Sequence, residues 1–346
     1  MRVLLVAPKY LELYKAIWNE LEAEGHTVAY RHEENFSWNP YYKYPNPIKR
    51  WVKRTVFERM KMCEKYWRAK LGEPVFNQSY DLLFVIQGTT FHPLLTEHLR
   101  KYNRSLKTAL YIWDTNAAYD FFRNIDYFDK AYSFDYRDVE LYGRGKVKFL
   151  PFFWPKELLK YDGVKLKYDL CSIGTNHHGR FTIFKKVISD MRQENRPYYI
   201  KLITKVPQHI RLKQKLDYLS AKLLGRQEKL EYYRFLLGEQ EYDFVEPSFY
   251  GIDDITKITA ESKAVLDTDN PHQCGTTPRL IWALAQNKHV FTTNHNIRHL
   301  PFYNEKYIHI IDRDRPSIDF SVLDNGACAR DTVAYLRIDN WLKFFI

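Results

Sequence analysis

The C-terminal half of the sequence places glycine, hydroxyl side chains and arginine together between two short apolar runs. The runs are 264–266 and 290–293, and the segment 275–279 reads GTTPR before a helical pattern. Amide groups at a helix start bind anions, a glycine permits close approach, and an arginine adds bidentate phosphate contacts. Either Thr276 or Thr277 is able to cap the helix. We predict that this segment binds a nucleotide diphosphate through Gly275, Thr276, Thr277 and Arg279.

A second polar turn follows the apolar run 168–173 and precedes another helical pattern. The turn contains a glycine, and an arginine opens the helix. We predict that it faces the same diphosphate. The pair His177 and His178 has two interpretations, a polar surface or a contact with phosphate or a reacting proton. Val245, which ends a further strand, is predicted to lie beside the nucleotide base. The remaining predicted contacts of this turn are Gly174, Thr175, Asn176 and Arg180.

Polar residues also end two apolar runs of the N-terminal half, 81–87 and 108–113. Carboxyl ends of parallel strands are where open α/β sheets bind ligands. We therefore expect these residues to face a second ligand. Asp114 has an alternative interpretation, which is the cap of a helix that begins near Thr115. The residues concerned are Gln87, Gly88, Asp114 and Asn116.

The elements that position these residues predict an α/β fold with two Rossmann-like domains that face a central cleft. Apolar runs alternate with helical patterns in both halves, which is typical of parallel sheets covered on both faces. We expect an N-terminal domain over 1–152 with a basic helical insert at 34–72, and a C-terminal domain over 153–328. A final helix over 329–346 is expected to pack back onto the N-terminal domain. No glycine-rich dinucleotide motif follows the first strand.

Composition restricts the class of protein and of partner. The 346 residues carry a formal net charge of +11 at pH 7, which favours nucleic acid, anionic lipid or phosphorylated small molecules as partners. The four cysteines are scattered, without the spacing of a zinc site or a disulfide framework. No apolar run has the length of a membrane span, and the N-terminus does not resemble a signal peptide. We therefore expect a cytoplasmic protein.

The basic pattern over 48–70 has two interpretations. It is typical of a helix that lies on an anionic membrane surface or contacts an acidic acceptor, with an apolar stripe and lysine and arginine flanks. It is equally typical of an amphipathic helix whose apolar stripe packs on its own domain.

Three blocks of the sequence together resemble a known family. Residues 168–174 (YDLCSIG) with Arg180, the segment 128–151, and the segment 275–294 are similar to motifs of GT-B glycosyltransferases. The resemblance is to CgeB-like enzymes and to those of capsular and lipopolysaccharide biosynthesis, and it covers about residues 108–312. One departure is Trp282, which stands where the family has a glutamate near the donor.

The resemblance implies a nucleotide-sugar donor, expected to be a UDP-sugar, in the C-terminal domain. It implies a saccharide or lipid-linked acceptor in the N-terminal domain. The positive charge and the basic helix would then hold the protein at the inner face of a membrane, or hold an anionic acceptor. Asp114 is the first candidate for the base that takes the acceptor proton in an inverting transfer, with Gln87, Gly88, Asn116, His177 and His178 on the acceptor side.

Two D-x-D sequences, 267–269 and 312–314, have the residue types of a divalent-metal site beside a diphosphate. Two-domain enzymes of this kind use helix dipoles and basic side chains instead, and Arg180 and Arg279 are available for that role. We therefore predict no metal and no cofactor.

Two alternatives come from other classes of protein. A nucleic-acid-binding module on a Rossmann-like scaffold would explain the charge and the many aromatic residues, although no nucleic-acid motif is recognisable. A sugar-nucleotide epimerase would share the architecture.

Overall fold

The computed structural model describes residues 1–9, 12–33, 56–116, 120–271 and 273–346, without the side chains of 56–59. Within these ranges the strands form two parallel sheets of six strands each, which confirms the predicted α/β class with two Rossmann-like domains. The chain divides into two compact units. Unit 1 contains Met1–Pro155, His272–Thr276 and Tyr335–Ile346, and unit 2 contains Lys156–Pro271 and Thr277–Ala334.

Unit 1 has a sheet with the strand order β2-β1-β3-β4-β5-β6. The order reverses between β1 and β3, so the crossovers leave this sheet in opposite directions from that point. The elements are β1 (Arg2–Ala7), α1 (Leu13–Ala23), β2 (Thr27–His32), α2 (Val56–Lys70), β3 (Leu82–Ile86), α3 (Pro93–Leu99), β4 (Lys107–Ile112), β5 (Lys130–Ser133), α4 (Tyr136–Tyr142) and β6 (Val147–Phe149).

The core of unit 1 forms because its strands are continuous apolar runs. Every residue of β3 is buried, as expected for a parallel strand with helices on both faces. Trp67 of α2 packs edge-on against Phe76 and donates its indole N–H to the Thr90 carbonyl at 2.7 Å. The described part of the predicted 48–70 helix therefore packs its apolar side on its own unit, and residues 48–55 lie outside the described ranges.

Tyr335–Ile346 belong to unit 1, which confirms the expected return to the N-terminal domain for these residues, whereas residues 329–334 belong to unit 2. Instead of one helix over 329–346, the structure has a 3-10 helix (Arg330–Leu336) and a short α10 (Ile338–Leu342). Two backbone hydrogen bonds to Trp154 cause this break. The Trp154 N–H donates to Leu336 at 2.9 Å, and the Ile338 N–H donates to the Trp154 carbonyl at 3.0 Å. This strand-like bridge holds Arg337 extended and interrupts the helix.

Unit 2 has the strand order β12-β11-β10-β7-β8-β9, the order of the Rossmann fold, and its direction reverses between β7 and β10. The elements are β7 (Tyr168–Thr175), α5 (Arg180–Gln193), β8 (Tyr198–Ile203), α6 (Leu212–Leu223), α7 (Gln227–Leu236), β9 (Val245–Glu246), α8 (Ile252–Ala260), β10 (Ser262–Asp267), α9 (Pro278–Ala285), β11 (His289–Thr292) and β12 (Ile308–Ile310).

The predicted helical excursion over 207–238 consists of α6 and α7. Gly225 separates them with a φ of +63°, a left-handed conformation that glycine adopts at little cost and that ends α6. Across the described ranges, every helix falls short of the length or the hydrophobicity that crossing a bilayer requires.

Candidate functional site

The candidate site lies in unit 2, where the carboxyl ends of β7 and β10 are adjacent. These strands are hydrogen-bonded neighbours, and the strand order reverses between them. In open parallel sheets this reversal leaves a crevice outside the strand ends, because the crossovers on either side lead to opposite faces. The predicted donor-binding turn after β7 and the D-x-D residues after β10 therefore meet at the position where such sheets bind ligands.

Gly174 and Arg180 connect these two strand ends. Arg180 is only 5% exposed. Its Nε donates to Thr268 Oγ1 at 2.5 Å, its Nη2 to the Thr268 carbonyl at 2.8 Å, and its Nη1 to the Thr175 carbonyl at 2.7 Å. A Cβ at position 174 would lie 2.8 Å from Nη1 and 2.9 Å from Cδ of Arg180. The absence of a side chain at Gly174 is therefore what lets the guanidinium bridge the two loops.

We expect Gly174→Ala to destabilise the protein by about 1–3 kcal/mol, the usual cost of overpacking a filled site. The methyl group would force the Arg180 guanidinium away from its acceptors on Thr175 and Thr268. Urea unfolding measures the loss. Gly326→Ala is the matched control, because a Cβ at position 326 has no atom within 4 Å. Equal stability of the two variants would contradict the role given to Gly174.

Beside this bridge, the buried Asp267 pairs with the partly exposed Arg279. Asp267 is 1% exposed, and its Oδ1 lies 3.1 Å from Nη1 of Arg279. The same carboxylate accepts the hydroxyls of Thr277 at 2.7 Å and Thr292 at 3.0 Å. Nη2 of Arg279 donates to the Ile173 carbonyl at 2.9 Å. The Asp267 carboxylate thus fixes the Arg279 guanidinium at the edge of the sheet. The Arg279 side chain is 19% exposed.

The start of α9 has the threonine cap that the sequence predicts. Thr277 is the N-cap, since its Oγ1 accepts the Leu280 N–H at 3.2 Å, and Pro278 occupies the first turn. Thr277 therefore has two functions, because its hydroxyl also donates to Asp267. Trp282 of α9 is 4% exposed, so its indole belongs to the packed interior of unit 2.

The second carboxylate of the D-x-D sequence also holds an arginine. The Asp269 carboxylate is in contact with the Arg313 guanidinium and with the Thr293 hydroxyl. Arg313 further donates to the His178 carbonyl at 2.9 Å. Both acidic residues of 267–269 therefore have arginine partners at the strand edge. This geometry gives them a role in positioning guanidinium groups.

The turn after β7 has a cationic environment. Partial desolvation, followed by the positive charges of Arg180, His178 and Arg279, lowers the pKa of His177 to about 4. His177 is therefore neutral at pH 7. A neutral imidazole beside guanidinium groups is able to donate a hydrogen bond to a phosphate or to accept a proton.

Two other predicted donor contacts lie further along the same edge. The Asn176 N–H donates to the Ile203 carbonyl at 3.0 Å, which joins the turn to β8. Val245 lies on β9, the edge strand beyond β8, and pairs with Leu202. Its side chain is half-buried. The nucleotide-base contact of Val245 stays a prediction.

Gly275 and Thr276 belong to unit 1, where the loop packs against the end of β5. A Cβ on Gly275 would lie 2.6 Å from the Phe134 ring. The amide groups of Cys274 and Gly275 donate to Asp135 Oδ2 at 2.7 and 3.1 Å. Gly275 thus permits the close approach of Phe134, and the Gly275 amide hydrogen binds the Asp135 carboxylate. A donor-binding role for Gly275 and Thr276 stays a prediction.

Asp114 is the half-buried carboxylate at the end of β4 in unit 1. Its Oδ1 accepts the Thr115 N–H at 2.8 Å and Nε2 of Gln273 at 2.9 Å. Burial, with a smaller contribution from Asp138, raises its pKa. The Asn116 N–H donates to Asp138 at 2.6 Å. A raised pKa brings a carboxylate closer to what a general base requires.

Gln87 and Gly88 form a turn beside Glu33, a buried glutamate that was not predicted from the sequence to have a role. Both residues have positive φ, 72° and 75°. Glu33, directly after β2, is 2% exposed and accepts the N–H groups of Gly88 at 3.2 Å and Thr90 at 2.8 Å. Burial raises the pKa of Glu33 to about 8, although these donors oppose the shift. Gln87 accepts the Trp113 indole N–H at 3.0 Å.

We expect stability to fall as the pH rises from about 5 to 8 because of Glu33. In this window the unfolded chain releases the proton and the folded protein retains it, so the slope is at most about 1.4 kcal/mol per pH unit. Urea unfolding at three pH values measures it. Glu33→Gln should flatten the slope, whereas Glu97→Gln, at an exposed position, should not. An unchanged slope in Glu33→Gln would rule out Glu33 as its source.

The site residues that were missed had one signal in common. Arg313 and Glu33 each come shortly after a strand end, as the predicted residues do. A rule that inspects each carboxyl end of a predicted parallel strand would have found both.

Comparison with known proteins gives similarities of fold among solved structures. A scan against protein-family models and a search of curated proteins find no match. An α,α-trehalose-phosphate synthase (UDP-forming) from Burkholderia vietnamiensis has a TM-score of 0.49 at 11% identity, over 99% of this chain and 96% of that one. The S. aureus MnaA–UDP co-structure has a TM-score of 0.46 at 10% identity, over 100% and 91%.

A sucrose-phosphate synthase from Thermosynechococcus elongatus has a TM-score of 0.46 at 11% identity, over 100% of this chain and 95% of that one. At these identities and TM-scores the similarities assign no residue or ligand to this chain.

Proposed function

We propose that the chain is a GT-B glycosyltransferase that moves a sugar from a nucleotide-diphosphate donor, expected to be a UDP-sugar, to a saccharide or lipid-linked acceptor. The observation that carries this proposal is the arginine arrangement at the β7–β10 reversal of unit 2. Arg180, Arg279 and Arg313 are all held there by acceptors on neighbouring loops. Guanidinium groups fixed before a ligand arrives suit the bidentate recognition of a diphosphate.

The proposed contacts to the donor come from an arginine side chain and from the start of α5, and a second arginine positions them. Arg279 is well placed to touch phosphate oxygens, since it is partly exposed and its orientation is fixed by Asp267. The backbone from Thr175 to Gly179 leads into α5, whose positive N-terminal end favours the same anion. Arg180 is a positioning residue, because its donors hold the loops that carry these groups. These elements supply the charge compensation, and no bound cofactor is included in the proposal.

The reaction step is assigned to Asp114 of unit 1. Its carboxylate takes the proton of the acceptor hydroxyl while that oxygen bonds to the anomeric carbon. The bond from this carbon to the diphosphate oxygen breaks, and the nucleoside diphosphate leaves with the electron pair. The raised pKa of Asp114 supports this role. We further propose that the acceptor is a substrate of surface polysaccharide assembly at the inner face of a membrane.

A thermal-shift panel of UDP-, GDP-, CMP- and TDP-sugars tests the proposal. We expect one nucleotide class to raise the Tm, by an amount equivalent to about 2.7 kcal/mol at a hundredfold excess over Kd. Product analysis then separates transfer, which releases free nucleoside diphosphate, from epimerisation, which leaves the nucleotide-sugar intact. No response to any nucleotide, together with salt-sensitive oligonucleotide binding, would favour the nucleic-acid alternative instead.

A further inference from the structure

One side of α6 in unit 2 exposes a row of leucines. Leu212, Leu216, Leu219 and Leu223 are 75%, 60%, 53% and 87% exposed. At about 100° per residue, their positions fall within an arc of about 60° on the helix. Single exposed apolar residues are common on protein surfaces, but a contiguous apolar face marks an interaction site.

The opposite side of α6 supplies its packing on unit 2. Ala221 is fully buried, and Tyr218 packs against Tyr233 of α7 with ring centroids 5.5 Å apart. Asp217 accepts the Tyr233 hydroxyl at 2.9 Å and lies 3.2 Å from the Lys229 ammonium. The helix is therefore anchored without its leucines, so their replacement should leave the fold intact.

Basic residues surround the leucine face. Between positions 211 and 226 the sequence has five basic residues and one acidic residue, Asp217, which lies on the packed side with Lys229. By helical position, Lys215 and Lys222 flank the leucines on one side and Lys213 flanks them on the other. All five basic residues are exposed, and Arg211 and Arg226 lie just beyond the helix ends.

We propose that α6 docks unit 2 on an anionic membrane surface, with the leucines at the acyl boundary and the basic side chains at the lipid phosphates. An apolar face with lysine and arginine flanks is the pattern of a helix that lies in the plane of the interface. A second copy of the chain fits this face poorly, because it would bring two basic rims together. The proposal does not rest on the sugar-transfer function.

This surface differs from the one that sequence reasoning considered. The described part of the helix over 48–70 directs Cys63 and Trp67 into the core of unit 1. That apolar side is consequently occupied by the protein itself. The leucines of α6 remain accessible to lipid.

Vesicle flotation of the full chain tests the proposal, with phosphatidylcholine vesicles that contain or lack phosphatidylglycerol. We expect Leu216→Ser/Leu219→Ser to lower the partition coefficient about tenfold or more, since two apolar side chains leave the interface. Leu141→Ser is the matched control, because Leu141 is 62% exposed on α4. All three proteins should keep the same urea midpoint.

Charge reversal gives an independent measurement. Lys215→Glu/Lys222→Glu should weaken binding to phosphatidylglycerol vesicles about tenfold or more, since each basic residue near an anionic surface contributes to binding. Lys165→Glu/Lys306→Glu, at exposed positions elsewhere in unit 2, is the matched control. The proposal is overturned if the wild type does not bind phosphatidylglycerol vesicles, or if the leucine variant floats like the wild type. Self-association that the leucine variant abolishes, measured by light scattering, would also overturn it.

Discussion

Arg279→Gln is expected to destabilise unit 2 by about 3–5 kcal/mol, because it leaves the charge of Asp267 buried without its cation. Asp267 is 1% exposed, and its remaining partners are the hydroxyls of Thr277 and Thr292. The same change should weaken binding of the stabilising nucleotide about 10- to 100-fold, the usual cost of losing a charge-assisted hydrogen bond. Urea unfolding and calorimetric titration measure the two effects separately.

The double variant Asp267→Asn/Arg279→Gln separates positioning from ligand binding. Neutralising the carboxylate should restore stability to within about 1 kcal/mol of the wild type, since no buried charge remains unpaired. Nucleotide affinity should stay low, because the guanidinium is still missing. Recovery of affinity together with stability would show that Arg279 serves the fold alone and would remove the central support of the proposed donor site.

Trp341→Ala is expected to cost about 3–5 kcal/mol, the range for removing a large buried aromatic side chain. The Trp341 ring is fully buried among the rings of Tyr111, Phe153 and Phe345, at centroid distances of 4.7, 5.0 and 4.5 Å. Its indole N–H donates to the Pro151 carbonyl at 3.1 Å. The variant loses both the packing and this hydrogen bond.

Hydrogen exchange resolved by mass spectrometry localises the effect of Trp341→Ala. Amides of β4 in unit 1 should exchange faster, while those of α5 in unit 2 should change little, because Trp341 packs within unit 1. Phe249→Ala, at a position 73% exposed, should stay within about 0.5 kcal/mol of the wild type. Equal acceleration in both units would contradict the assignment of the C-terminal segment to unit 1.

The sheets could be predicted well because each strand carries its own local signal. β3 and β10 are apolar runs bounded by polar turns, and that pattern is characteristic of a parallel strand with both faces covered. β9 has only two residues, Val245–Glu246, and the Phe244 ring just before it packs against Phe181. The break before α10 depends on Trp154, a residue distant in sequence, so no local pattern announces it.

The position of the candidate site could be predicted from the sequence, but the hydrogen-bond and ion-pair partners of its arginine side chains could not. Position after a strand identified Arg180 and Arg279 at the sheet edge, since the topology fixes which ends meet. The partners of these arginines lie at and just after the end of β10, 88 residues from Arg180 for Thr268 and 12 residues from Arg279 for Asp267. The carboxylates of 267–269 have the residue types of a metal site in sequence, a role that we did not predict for them, and in the fold they contact arginine side chains.

The placement of the C-terminal segment has a consequence for biosynthesis. The aromatic side chains of Phe84, Tyr111 and Phe153 obtain their cover from Trp341 and Phe345, which the ribosome adds only after all of unit 2. The aromatic face of the nascent N-terminal sheet therefore stays uncovered until unit 2 and the residues that follow it have been translated. Chains truncated before Trp341 would expose this apolar face and become substrates for chaperones and proteases, although every residue predicted to contact a ligand precedes position 280.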